Sequence, residues 1–219
     1  MLTLAEELFL LTMNEKKSSV AVSSAQALPA ALVGAMLLDL IIEGKIELID
    51  GERVGLAKGV PSENKYLNHI LEKITTARKP KKLLYWTEAF SLKPKKLEKE
   101  LVKSLIAKKI LKIKKKKLIW VIPFIDYSQE DASAKFWRKR HLRAIILAGE
   151  KVDPQSAALL SLLKACGLLD HLFTIDEIKY AGNRAEELFI DQSLDPVYIE
   201  MIKRVSAIAA SVIESNELT

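Results

Sequence analysis

One cysteine in 219 residues, Cys166, leaves no intramolecular disulfide to brace the chain and fits a reducing compartment. Its neighbours from Leu163 to Leu169 are largely apolar, so the thiol is expected to fill core; burial raises a thiol pKa and makes a poor nucleophile. Glycine and proline are scarce, at 8 and 7, which excludes collagen-like and low-complexity chains. Ser18 to Leu38 is uncharged for 21 residues, but Ser18, Ser19, Ser23, Ser24, Gln26 and Pro29 interrupt it. The apolar part falls short of the roughly 20 residues of a spanning helix, so a buried core helix is expected. A secretory leader is not expected either, because Leu2 to Met13 carries Glu6 and Glu7.

Catalytic and metal-binding patterns are missing too. His69, His141 and His171 lie far apart, and none stands at i,i+3 or i,i+4 from another His, Cys or plausible ligand set. Gly51 and Gly55 belong to a hairpin pattern rather than to a phosphate-cradling loop that opens a helix. The pairs Glu6-Glu7 and Glu186-Glu187 are adjacent, hence on different helix faces, and cannot share a proton as a dyad. These readings predict a protein that is not an enzyme and has no cofactor and no metal.

What is present is a 49% hydrophobic, 28% charged composition, that of a globular fold. Leu4, Leu8 and Leu11 follow Thr3 at helical spacing, with Glu6 three residues after Thr3, a capping-box pattern. Pro29 can open a second helix, apolar nearly all round from Ala30 to Ile42 and therefore central. Ile46 and Leu48, then Val54 and Leu56, alternate on either side of Asp50-Gly51, a tight-hairpin signal. The order recurs: Leu97, Leu101 and Leu105 mark a helix, after which Leu111, Ile113 and then Leu118, Trp120, Ile122 flank Lys114 to Lys117, the predicted tip of a second hairpin. Between the copies, helices are read over Leu67 to Ile74 and Leu83 to Phe90. Four more follow, over Phe136 to Ala148, Gln155 to Cys166, Glu177 to Ile190 with Asp176 as cap, and Val197 to Ile213. The expected fold is mainly α, a single compact helical domain over 1–219 with one or two inserted β-hairpins.

Charge is sorted along the chain. Residues 78–117 hold 16 Lys+Arg against 3 Asp+Glu, whereas 1–77 hold 7 against 10 and 118–219 hold 11 against 15. A basic strip between two acidic thirds points to an anionic partner. Lys96, Lys99 and Lys103 fall at i, i+3 and i+7, a basic ridge opposite Leu97, Leu101 and Leu105. Lys112 and Lys114 to Lys117 extend it into the hairpin beside Trp120, an aromatic suited to a membrane interface.

Three segments carry a family resemblance: Leu2-Thr3-Leu4-Ala5-Glu6-Glu7-Leu8-Phe9-Leu10-Leu11; Gly34-Ala35-Met36-Leu37-Leu38-Asp39-Leu40 running into Gly44-Lys45-Ile46-Glu47-Leu48; and Leu101-Val102-Lys103 through Leu118-Ile119-Trp120. In this order the chain resembles the Golgi phosphoprotein 3 family, peripheral Golgi adaptors that bind phosphatidylinositol 4-phosphate, and their prokaryotic relatives. The resemblance implies a mostly helical fold, a shallow basic pocket for a lipid headgroup, and oligomer formation through the hairpin. The family's pocket tryptophan falls on Ser24, its arginine before the Met36 segment on Val33, and two further arginines on Lys95 and Glu98. Lysine is a point charge where arginine offers a planar fork to phosphate.

The expected role is thus a cytoplasmic, peripherally membrane-associated protein that binds anionic lipid headgroups, phosphatidylinositol 4-phosphate by resemblance. Ser24, Lys95, Lys96 and Lys99 are the candidate headgroup residues; Lys114, Lys115, Lys116, Lys117 and Trp120 are the candidate membrane or oligomer contacts. Nucleic-acid binding by a winged-helix-like helix and hairpin is the alternative; the ridge helix lacks Arg, Asn and Gln for base edges, which disfavours it. A scaffold that self-associates without a ligand is the third class.

Overall fold

The computed structural model describes residues 2–13, 27–57, 61–114, 126–188, 194 and 196–217. Thr3 opens α1 (Leu4–Thr12) with the capping box its spacing predicts: its hydroxyl accepts from Glu6 N, and the Glu6 carboxylate accepts from Thr3 N. Pro29 sits in the first turn of α2 (Leu28–Ile42), and burial runs almost unbroken from Leu28 to Ile41. This helix is the axle of the fold, packed by α1 and by helices met later in the chain.

Strands β1 (Ile46–Ile49) and β2 (Arg53–Leu56) pair antiparallel with Ile46 opposite Leu56 and Ile49 opposite Arg53. Asp50 and Gly51 both take positive φ, 49° and 73°, the backbone that a tight hairpin turn demands and that Gly supplies at least cost. Helix α3 (Lys65–Thr75) follows, then β3 (Lys81–Lys82), which adds to β2 so that the sheet runs β1-β2-β3. Helices α4 (Leu83–Ser91) and α5 (Pro94–Ala107) come next, with Pro94 in the first turn of α5.

The second hairpin differs from expectation. Strand β4 (Leu111–Lys114) pairs with β5 (Asp126–Gln129), Leu111 opposite Gln129 and Lys114 opposite Asp126, while the expected strand around Leu118, Trp120 and Ile122 lies outside the described residues. The pair is closed at its base, where Glu130 N donates to Ile110 O at 2.8 Å. Lys114 is therefore a strand residue and not a turn residue, while Lys115, Lys116, Lys117 and Trp120 lie outside the described residues.

Helices α6 (Ser133–Ala148), α7 (Pro154–Ala165), α8 (Ile175–Glu187) and α9 (Pro196–Glu217) complete the chain. Gly149 stops α6 with φ 70°, and Asp153 caps α7 by accepting from Ser156 N at 2.9 Å. The cap of α8 is Thr174 and not Asp176. Thr174 and Glu177 form a second capping box, which satisfies two backbone N–H groups at once, and Asp176 lies inside the first turn.

The core lies where α2 meets α1, α4, α7 and α9. Helices approach closely at Gly34, where an added Cβ would stand 3.0 Å from Leu162 Cδ2 and 3.3 Å from Val205 Cγ1. Cys166 is buried as expected, and burial pushes its thiol up to about 12. The described elements are mainly helical with two short antiparallel sheets, as the sequence predicts.

Candidate functional site

A cavity of about 690 Å³ opens between α3, α4 and α5. From α3 come Lys65, His69 and Lys73, one turn apart along one edge, beside buried Tyr66 and Ile70. β3 supplies Lys81, and α4 supplies Tyr85, Trp86, Ala89 and Phe90. Lys93, Lys96, Leu97 and Glu100 descend one face of α5 at i, i+3, i+4 and i+7. Met36 of the central helix is its floor. Trp86 and Phe90 stack at 5.7 Å with 17° between planes, as their i, i+4 spacing allows, and Tyr85 meets Trp86 edge-on at 5.2 Å.

The walls are apolar and the rim is cationic. Among the described residues, five lysines line the cavity against one carboxylate, Glu100, which already accepts from Lys103 Nζ at 2.6 Å. Lys96 Nζ stands 3.0 Å from His69 Nε2; an ammonium can only donate, so the ring nitrogen accepts. Lys81 lies 5.1 Å from the Tyr85 ring centroid. Lys65, Lys73, Lys81 and Lys93 line the opening and make no ion pair among the described residues. Trp86 is 94% buried, since 6% is exposed, and its Nε1–H finds no acceptor among the described residues.

The family model described as Golgi phosphoprotein 3 matches residues 4–205, from α1 into α9, with the whole cavity inside it. The chain belongs to the Golgi phosphoprotein 3 family. No curated protein matches it. Among the described residues, no helix is long and apolar enough to cross a membrane, and no cluster of three His, Cys, Asp or Glu could hold a metal ion.

The positions that the Golgi phosphoprotein 3 resemblance singles out lie elsewhere on α5. Lys95 and Lys99 are exposed one turn apart on a face that does not line the cavity, and Glu98 is half-buried with its carboxyl pushed up by desolvation against the pull of Lys95. Val33 is fully buried, and Ser24 lies outside the described residues. Of the three candidate headgroup residues that are described, Lys95, Lys96 and Lys99, only Lys96 lines the cavity.

The basic strip is divided by the fold. Lys81, Lys93 and Lys96 converge on the cavity, whereas Lys82 pairs with Glu52 at 2.8 Å, Lys103 with Glu100, and Lys108 with buried Glu6 at 2.6 Å. The ridge of Lys96, Lys99 and Lys103 is not one uncompensated edge. Two of the cavity's lysines, Lys65 and Lys73, come from the acidic first third, which segment counting passed over. The four-residue repeat Lys65, His69, Lys73 was legible; that it faces Trp86, Phe90 and Lys93 depends on packing.

Proposed function

We propose that this Golgi phosphoprotein 3 family member is a peripheral membrane protein that docks on anionic lipid headgroups through the lysine rim of the α3–α4–α5 cavity, in a binding rather than a catalytic role. The observation that carries this reading is the gathering, among the described residues, of five lysines around one opening with a single, already paired carboxylate. Near an anionic bilayer each such lysine contributes about 1 kcal/mol, so the set supports reversible, salt-sensitive attachment. The family adds phosphatidylinositol 4-phosphate as the expected headgroup and a cytoplasmic location, and self-association through the β4–β5 hairpin belongs to the same reading.

Co-sedimentation with vesicles tests it. Vesicles that carry phosphatidylinositol 4-phosphate or phosphatidylserine should pull the protein down at low salt and release it as salt rises. Lys93→Glu with Lys96→Glu should abolish the pull-down. Charge reversal at Lys114 to Lys117 should instead change the mass in solution, measured by light scattering. Equal recovery on neutral vesicles, or tighter binding to duplex DNA than to anionic vesicles, rejects the proposal.

A further inference from the structure

We infer that the cavity accepts an acyl chain as well as a headgroup: its ligand is an anionic amphiphile, a phosphomonoester on a single acyl chain, with the phosphate at Lys93 and Lys96 and the chain against Trp86 and Phe90. The inference rests on the membrane reading and deepens it. A hydrated headgroup needs only a charged rim, and the exposed lysines Lys95 and Lys99 would serve it as well. The cavity offers more. Its volume of about 690 Å³ lies in the range of sites that enclose whole small molecules, and most of its lining is aliphatic or aromatic. The Phe90 side of the Trp86–Phe90 stack, with Tyr85 and Leu97, presents apolar surface with no use for an inositol or phosphate, whereas a hydrocarbon gains by leaving water there. Charge complementarity fixes the head: the rim carries five lysines and a carboxylate that Lys103 already holds, so an anion is favoured over a zwitterion or a cation. The site also stands apart from the Lys95–Glu98 face of α5, since Lys93, Lys96, Leu97 and Glu100 occupy a different stripe of that helix.

Calorimetric titration of the full chain tests this with three kinds of probe: inorganic phosphate, an uncharged monoacylglycerol, and a homologous series of monoacyl phosphates below their critical micelle concentrations. The expected result is tight binding of the series alone, with affinity rising about fourfold per added methylene until the cavity is filled. Ala89→Trp, which fills the cavity from the α4 wall, should remove the dependence on chain length. Ala77→Phe, from the α3 side, provides the same reading if the first variant fails to fold by circular dichroism. Inorganic phosphate that competes as well as the longest amphiphile, or chain length without effect, overturns the inference and leaves headgroup docking standing. Loss of anionic-vesicle binding by the wild-type chain would instead remove the membrane reading beneath it. An uncharged monoacylglycerol that binds as tightly as the phosphate series overturns the assignment of the anionic head.

Discussion

Asp39 is a carboxylate in a place that disfavours its charge. It is 7% exposed, and it accepts the first amides of α1, Leu4 N at 2.8 Å and Ala5 N at 3.2 Å. Burial pushes its carboxyl up to about 7 although those bonds pull the other way, and burial likewise raises Glu7 to about 7 against the opposing pull of Arg138 at 2.8 Å. A carboxyl raised on folding binds its proton more tightly in the folded state, so its contribution is complete below the unfolded value and is lost as pH rises through the folded one. Denaturant midpoints should therefore fall between about pH 4 and about pH 7, and Asp39→Asn should flatten that slope. A wild-type midpoint constant over this window would contradict the assignment. Glu177 acts in the opposite sense: hydrogen bonds from Arg143, at 2.8 Å to each oxygen, hold it down at about 2, so its contribution disappears as pH falls from about 4.5 toward 2. That Glu6 and Glu7 point apart was legible from their adjacency. Their burial was not, because Glu6 is held by Ser104 and Lys108, 98 and 102 residues away.

At the level of elements, local chemistry decides most boundaries. Thr3 with Glu6, Pro29, Pro94, Asp153-Pro154 and Gly149 each mark a helix end where their backbone preferences place it. Thr174→Ala should cost about 1 kcal/mol of unfolding free energy by removing one side of the α8 capping box, and chemical denaturation measures it. Packing of α2 against its neighbours is stricter. Gly34→Leu would drive a side chain into Leu162 and Val205, and overpacking of this kind costs about 1–3 kcal/mol or more. A thermal melt unchanged by this substitution would show that α7 and α9 do not sit against α2 as described. Strand β5 went unread because Asp126–Gln129 lacks the apolar alternation that marks a strand, and Lys114, expected at the tip, lies in β4 opposite Asp126. Closure at Ile110 and Glu130, a long-range choice, set the register.

Over the whole molecule, the fold re-sorts charge that the sequence had already segregated. Salt bridges to Glu52, Glu100 and Glu6 neutralise Lys82, Lys103 and Lys108, while Lys65 and Lys73 join the uncompensated set from outside the strip. Lys65→Glu with Lys73→Glu should therefore weaken anionic-vesicle binding about as much as Lys93→Glu with Lys96→Glu, and Lys95→Glu with Lys99→Glu should weaken it less. The same effect from all three pairs would mean that net charge alone, and not the cavity rim, drives attachment.

Composition and period determined a mainly helical fold, a buried second helix, the first hairpin and a basic middle strip, because each rests on residues within a few positions of one another. Which lysines face a common opening, which are neutralised, and which aromatic walls lie beneath them was decided by tertiary structure. Those pairings join residues tens of positions apart through the rotation of α3, α4 and α5 about α2, and a chain's periodicity specifies which side of a helix is apolar but not what that side will meet.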